Sequence, residues 1–224
     1  MSELEKILFD QKNCFVIDNT IPYSDYIPLD LSPESKLLEI HKPKTAADYE
    51  LLLLTFFAEK KAKVAYGGYL EKRNLYQRST VFNDSVQLER NIHIGLDLWI
   101  KAETHVLAAL DGKIHSFQNN TNLGDYGPTI IIEHSLNNCK FYTLYGHLSL
   151  ESIESLKIGQ LVSKGKQIAT LGDASVNGDY AAHLHFQIIQ NLEGKSGDYP
   201  GVCSEQHLSF YQQNCPYPNL LLKI

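Results

Sequence analysis

The chain has 224 residues, of which 43% are hydrophobic and 21% are charged, and its formal net charge is −6. This composition is that of an ordinary folded protein, without the apolar runs of a membrane protein or the apolar depletion of a disordered one. An acidic chain lacks the positive charge that attracts phosphates, so we predict neither a nucleic-acid partner nor an anionic membrane partner.

The amino-terminal segment MSELEKILFD carries acidic residues where a secretory signal carries positive charge, and its apolar stretch is short. We therefore predict a cytoplasmic protein with no membrane span. The cysteines contain no CxxC pair, which disfavours a cysteine-rich zinc module and predicts free thiols. They are Cys14, Cys139, Cys203 and Cys215. An oxidising environment would leave open a bridge between Cys203 and Cys215.

Residues 1–85 are predicted to form an amino-terminal extension with one helix, at about residues 45–64. The run TAADYELLLLTFFAEKKAKV is rich in helix formers and has lysines near its end. Thr45 followed by Asp48 is a candidate helix cap. The segments before it are rich in Pro and Asp, so we expect irregular or edge structure there.

From about residue 91 onward, short apolar runs alternate with Gly, Asn and Asp, which predicts a mainly β structure. HVLAAL and KIHSF flank Asp111-Gly112, a pair suited to a tight hairpin turn. TIIIE (129–133) and KFYTLY (140–145) predict a second hairpin. QLVSKG and KQIATLG continue the pattern, and HLHFQII (183–189) ends it. Residues 193–224 are predicted to be a loop-rich carboxy-terminal wrap.

The triplet His183-Leu184-His185 lies on the last predicted strand. Side chains alternate between the two faces of a strand, so His183 and His185 share one face with Gln187, while Leu184 shares the other with its apolar neighbours. A pair of imidazoles on one face can bind a metal ion. By itself the pair is equally compatible with two hydrogen-bonded structural histidines.

Two further segments carry candidate side chains. His93 and Asp97 are four residues apart, with Gly95 between them where the backbone has to bend or approach another group closely. Both residue types bind zinc, but taken alone they are better explained as a histidine that caps a strand and an aspartate that accepts backbone hydrogen bonds in a turn. His147 follows Tyr145-Gly146 at the end of a predicted strand, and alone it indicates little.

Taken in order, the HxxxD, YGH and HxH segments resemble the zinc metallopeptidases of the lysostaphin and LytM type, peptidase family M23. The similarity runs from about Arg90 to Gln190 and includes LAALDGKI, YGPTIIIEH, FYTLYGHL and GQLVSKGKQIATLGD. The resemblance implies an antiparallel β-sheet domain at residues 86–192 whose sheet forms the floor of a substrate groove.

The resemblance also implies the roles of the site residues. Zinc would be held by His93, Asp97 and His185, while His147 and His183 would face the substrate as catalytic residues. Three protein ligands leave an open position, which is typical of a catalytic zinc site. The expected function is hydrolysis of a peptide bond in a muropeptide or another small peptide.

Two alternatives stay open at this point. The domain could be a non-catalytic module that keeps the metal and binds a peptide or a protein partner. A metal that only stabilises the fold would need four protein ligands, and the pattern has three.

The flanks GGYLEKRNLYQRSTVF, GDYPGV and CPYPNLLL resemble an M23-type segment found in fusions with a kinase-like domain and a class III aminotransferase.

The other histidines are predicted to be structural or surface residues: His41, His105, His115, His134 and His207. Trp99, two residues past Asp97, is predicted to pack in the core rather than stack on substrate. Three loop residues are candidates for substrate contact by the resemblance: Tyr126, Asn122 and Asn177.

Overall fold

The computed structural model describes residues 1–73 and 89–224. The predicted boundary at residues 85 and 86 lies outside these ranges, as does the NLYQRSTVF part of the flank. Within them the helices are α1 (Glu3–Asp10), α2 (Lys36–His41), α3 (Ala46–Lys60), α4 (Glu151–Glu154), α5 (Leu208–Asn214) and α6 (Asn219–Leu222). The strands are β1 (Tyr26–Pro28), β2 (Val64–Gly67), β3 (Ile92–His93), β4 (Leu96–Trp99), β5 (His105–Leu107), β6 (Gly112–Asn120), β7 (Gly127–Leu136), β8 (Cys139–Gly146), β9 (Leu161–Val162), β10 (Gln167–Thr170), β11 (His183–Ile189) and β12 (Val202–Cys203).

One large sheet organises the described chain. Its strand order is β1-β2-β4-β11-β8-β7-β6-β9, and all neighbours are antiparallel except the parallel pair β1 and β2. Two small sheets, β10-β5 and β12-β3, stand beside it. The predicted mainly β, antiparallel fold is confirmed. The extension supplies β1 and β2, so it continues the sheet of the domain.

The two predicted hairpins have different outcomes. TIIIE and KFYTLY pair as predicted, as parts of β7 and β8. The hairpin at Asp111-Gly112 is wrong: β5 pairs with β10, whereas β6 pairs with β7 and β9. Gly112 lacks the positive φ that a type I′ turn requires, and the adjacent Ala108 and Ala109 are fully buried in the core. The segment therefore packs inward instead of folding back on itself.

The helices of the extension are more numerous than predicted. α3 has the predicted capping box between Thr45 and Asp48, but it ends at Lys60, because Lys61 adopts a left-handed conformation. α1 and α2 were not predicted. α1 has a capping box of its own, formed by Ser2 and Glu5. The carboxy-terminal wrap is also more regular than predicted, since it contains β12, α5 and α6.

The core lies on both faces of the large sheet. On one face, apolar side chains of β4 and β11 pack in a cluster that also takes in α1 and α6. On the other face two separate clusters form. One gathers Ile92, Tyr126, Leu144 and Tyr199. The second packs α3 against β2 and Trp99. The predicted site residues lie between these two clusters.

Two further predictions concern disulfide bridges and membrane-spanning helices. All four cysteines are free thiols, and Cys203 and Cys215 are buried without forming a bridge. No helix within residues 1–73 and 89–224 is long and apolar enough to span a membrane.

Candidate metal centre and active site

Strands β4 and β11 place two of the predicted metal ligands side by side. In their antiparallel register His185 is opposite Asp97, and His183 is opposite Trp99. The alternate residues Leu98 and Leu184 point into the core on the other face of the sheet. The alternation predicted for β11 is therefore confirmed.

His93 reaches the same point from β3. Gly95 makes this possible, because a Cβ atom at that position would lie 2.4 Å from Cε1 of His185. Nε2 of His93 lies 2.9 Å from Nδ1 of His185 and 3.2 Å from Oδ1 of Asp97. Nδ1 of His185 lies 3.1 Å from that same oxygen. The structure thus brings together the three predicted ligands.

Hydrogen bonds to oxygen acceptors fix the tautomers of both histidines. Nδ1 of His93 donates to the carbonyl of Gly68 at 2.9 Å, so its Nε2 carries a lone pair. Nε2 of His185 lies 2.9 Å from Oε1 of Gln187, and Nε2 of that amide donates to the carbonyl of Pro200. This leaves the lone pair of His185 on Nδ1. Two lone pairs and a carboxylate oxygen therefore point at one another.

This donor set fits a zinc ion. Three acceptors within 3.2 Å of one another repel unless a cation lies among them. Ligand atoms about 2.0 Å from a tetrahedral zinc are about 3.3 Å apart, close to the observed spacing. Each of the three residues is at most 3% exposed.

Burial and a neighbouring charge together set the protonation states that a metal site needs. It lowers the pKa of His93 to about 4, so the imidazole is neutral at pH 7. Burial alone would raise the pKa of Asp97, but the positive charge of the Arg73 guanidinium beside it outweighs this effect and holds the pKa well below its usual value. A neutral imidazole and an ionised carboxylate are the forms that bind metal.

His147 and His183 face the same space. Their ring centroids are 4.2 Å apart, and Nε2 of His183 lies 4.0 Å from Oδ1 of Asp97. Nδ1 of each donates to a carbonyl at 2.8 Å, that of Asn177 for His147 and that of Ala181 for His183. Each Nε2 therefore carries a lone pair. Burial lowers the pKa of both rings, so both are neutral at pH 7.

A cavity of about 280 Å³ opens onto these five side chains. Its walls come from several parts of the chain. The extension contributes Leu31, Ala46 and Tyr49, and the carboxy-terminal wrap contributes Lys195, Asp198 and Tyr199. Among the described residues, the walls of the site thus come from the extension and the carboxy-terminal wrap as well as from the sheet.

The remaining predicted residues divide between the site and the scaffold. Trp99 packs in the core as predicted, but it also lines the cavity and stacks on His183 at 5.8 Å. Tyr126 lines the cavity, with its hydroxyl 3.4 Å from Nε2 of His185. Asn177 is buried, and its carbonyl accepts from His147; Asn122 does not line the cavity, but it donates to Asp125, which does. The five histidines predicted to be structural or surface residues do not line the cavity.

Several groups that hold the ligands in place were not predicted from the sequence. Arg73 donates to Asp97, and Glu71 binds Arg73. The carbonyl of Gly68 and the side chain of Gln187 orient the two histidine ligands. Only Gln187 had a sequence signal, since it shares the face of β11 with His183 and His185.

Residues 91–198 match the model of peptidase family M23. This part of the chain is a peptidase family M23 domain. No curated protein sequence matches the chain.

Solved structures similar to this M23 domain include peptidases from three bacteria. The catalytic domain of the antimicrobial peptidase lysostaphin from Staphylococcus simulans is 25% identical, with a TM-score of 0.39, and covers 55% of this chain and 80% of its own. A zinc-containing peptidase from Vibrio cholerae is 29% identical, with a TM-score of 0.36, over 47% of this chain and 29% of its own. The prophage-encoded M23 protein EnpA from Enterococcus faecalis is 20% identical, with a TM-score of 0.38, over 54% and 87%.

Proposed function

We propose that this protein is a zinc-dependent metallopeptidase that hydrolyses a peptide bond. One observation carries the proposal: the lone pairs of His93 and His185 converge with a carboxylate oxygen of Asp97 at the base of a cavity. His147 and His183 present two further lone pairs to that cavity. The family of residues 91–198 supports the same chemistry.

His93, Asp97 and His185 would hold the zinc ion. Two neutral imidazoles and one carboxylate leave a coordination position for a non-protein ligand and a net charge near +1 at the site. When bound, the ion would supply Lewis acidity that polarises the scissile carbonyl and acidifies a water molecule.

His147 and His183 would carry the proton transfers. A neutral imidazole accepts a proton from the attacking water and, once protonated, donates a hydrogen bond to the developing oxyanion or a proton to the leaving amine. The carbonyls of Asn177 and Ala181 hold the Nδ1 protons, so Nε2 is the working atom of each ring. The assignment of base and oxyanion donor between the two rings is open.

The cavity favours a small peptide as substrate. Its walls leave about 280 Å³ around the histidines, which suits a few residues of a peptide. We propose that the substrates are short peptides, soluble muropeptides among them.

The test combines metal analysis with peptide digestion. We expect about one zinc ion per chain in the wild-type protein, and loss of zinc in His93→Ala and Asp97→Asn. His147→Ala and His183→Ala should retain zinc and lose hydrolysis of a peptide and muropeptide library, by about 100-fold or more. His41→Ala, an exposed histidine on α2, is the matched control and should behave as wild type.

Two outcomes would contradict the proposal. Full zinc occupancy in His93→Ala would contradict the assignment of His93 as a zinc ligand. Stoichiometric zinc in the wild type without any metal-dependent product from the library would favour the alternative, a non-catalytic module that binds a peptide or a partner.

A further inference from the structure

Groups outside the M23 match hold all three candidate ligands in place. The match covers residues 91–198. The carbonyl of Gly68 accepts the Nδ1 proton of His93. The carbonyl of Pro200 fixes the amide of Gln187, which in turn accepts from His185. For Asp97 the outside group is a charged side chain, Arg73.

Arg73 is held in a fixed orientation inside the protein. It is 3% exposed, and its Nη1 donates to Oδ2 of Asp97 at 2.7 Å. Its Nε donates to Oε2 of Glu71 at 2.5 Å. The second oxygen of Glu71 accepts from the backbone amide of Leu31 at 2.9 Å. The planar guanidinium is therefore anchored to the extension at one edge and to Asp97 at the other.

The two oxygens of Asp97 have separate partners as a result. Oδ1 faces the lone pairs of His93 and His185, whereas Oδ2 is occupied by Arg73. A carboxylate held in this way presents one oxygen to a metal ion and cannot rotate to offer both. Glu71 offsets the charge of Arg73, so the effect on a bound cation is mainly one of orientation.

Arg73 also contacts Trp99, which lies beside the proposed catalytic histidines. The guanidinium carbon of Arg73 lies 5.5 Å from the ring centroid of Trp99, which stacks on His183. Arg73 therefore contacts both the candidate ligand Asp97 and the tryptophan that packs against His183.

We propose that Arg73 is a positioning residue of the zinc site, supplied by the amino-terminal extension to hold Asp97 as a one-oxygen ligand. This inference rests on the proposed function for the metal itself. Hydrogen bonds to metal ligands are typically worth 10–100-fold in metal affinity, because they fix the orientation of the ligand.

The experiment measures zinc affinity by competition with a chromogenic chelator, together with the visible absorption spectrum of the cobalt-substituted protein. Full-length wild type, Arg73→Gln and Arg73→Lys are compared, with folding checked by circular dichroism. We expect zinc affinity to fall roughly 10–100-fold in Arg73→Gln and less in Arg73→Lys, which retains one donor. The cobalt bands should change in Arg73→Gln, because freed Asp97 alters the coordination.

Lys63→Met is the matched control. Lys63 also belongs to the extension and pairs with Asp25 at 2.8 Å, but it does not line the cavity. Its loss should leave zinc affinity and the cobalt spectrum unchanged.

The outcomes separate this inference from the proposed function. Wild-type zinc affinity and an unchanged cobalt spectrum in folded Arg73→Gln would overturn the role of Arg73. If Arg73→Gln does not fold, Arg73→Met takes its place, because methionine offers Asp97 no donor, and wild-type zinc affinity and an unchanged cobalt spectrum in that folded variant would overturn it. Absence of zinc binding by the wild-type protein would instead refute the proposed function.

Discussion

Gly95 is the residue on which the geometry of the metal centre depends most directly. It lies between two candidate ligands, and the ring of the third occupies the space where a side chain would start. Any other residue would push His185 away from His93 and Asp97. The single hydrogen atom at this position is therefore part of the site, although it has no chemistry of its own.

Gly95→Ala should weaken zinc binding by 10-fold or more while the secondary structure is retained. The new Cβ would lie 2.4 Å from Cε1 and 2.5 Å from Nε2 of His185, so that ring must move. Chelator competition and circular dichroism measure the two effects. Gly194→Asn is the control, since no atom of the described residues lies within 4 Å of a Cβ at that position and Asn tolerates a positive φ. Unchanged zinc affinity in Gly95→Ala would show that the ring shifts without cost.

At the same scale, the sequence indicated the side chains of the site better than their supports. Five residues that were predicted from their sequence pattern lie together in the structure: His93, Asp97, His147, His183 and His185. Their roles stay predictions. Arg73 and the carbonyl of Gly68 carried no such signal. A backbone carbonyl is the same in every residue, and the partner of an arginine is decided by the fold.

At the scale of elements, the cap of α3 bears on the cavity because Ala46 and Tyr49 in the first turn of that helix line it. Thr45 accepts a hydrogen bond from the amide of Asp48, and the carboxylate of Asp48 accepts one from the amide of Thr45. These bonds satisfy amides that otherwise lack partners at a helix start.

Thr45→Ala should lower the free energy of unfolding by about 1 kcal/mol. Thr55→Ala in the same helix is the matched control, because its hydroxyl bonds only the carbonyl of Leu51 one turn earlier. That substitution should be nearly neutral. Urea unfolding followed by circular dichroism gives both values. Equal losses in the two variants would contradict a capping role.

β7, β8 and the loop before β6 are tied together by His134. Its Nδ1 donates to the carbonyl of Asp111 at 2.8 Å, and its Nε2 lies 2.7 Å from the hydroxyl of Thr143. Burial lowers the pKa of His134 to about 4. In the unfolded chain the pKa returns to about 6.5, so the unfolded state binds more protons between these values.

The free energy of unfolding should therefore fall as the pH drops from 6.5 to 4, and His134 contributes on the order of 3 kcal/mol of that fall. His134→Gln should show a shallower pH dependence than wild type, measured by urea unfolding at intervals across this range. The other buried histidines are present in both proteins and cancel in the comparison. His41→Gln, at an exposed position, should keep the wild-type slope, and an unchanged slope in His134→Gln would refute this account.

The elements were predicted where local signals and tertiary packing agree. β7 and β8 pair as the alternating apolar runs indicate, and α3 begins at its predicted cap. The hairpin at Asp111-Gly112 failed because full burial of the preceding alanines outweighs the turn signal. α2 is short and has no side-chain cap, whereas α1 begins with the capping-box pattern of Ser2 and Glu5, a local signal that the prediction did not use.

At the scale of the whole molecule, the extension and the M23 domain share one sheet. β2 pairs with β4, the strand that carries Asp97, and β1 pairs with β2. Residues 1–85 were predicted to be a separate extension because they lack the short, regularly spaced apolar runs that follow residue 91. Pairing between distant strands leaves little trace in the sequence. The cytoplasmic location stays a prediction.

Metal removal should destabilise the protein as a whole, because the proposed zinc ion would bind only the folded state, through ligands from separate segments. At a zinc concentration about 100 times Kd, binding contributes about 2.7 kcal/mol, so chelation should lower Tm by roughly 5–10 °C. Differential scanning fluorimetry with and without chelator measures the shift. Asp97→Asn, which lacks a ligand, should show a much smaller shift. An equal shift in that variant would mean that zinc binds elsewhere.

The burial of the three ligands at the base of a walled cavity has a kinetic consequence. Each ligand is at most 3% exposed, so a chelator larger than the cavity of about 280 Å³ cannot contact a zinc ion that these ligands hold. Release would then be a first-order escape from the protein, with a rate that does not rise with chelator concentration. A zinc ion held in this way would survive encounters with larger metal-binding molecules, even where their equilibrium affinity for zinc exceeds that of the site.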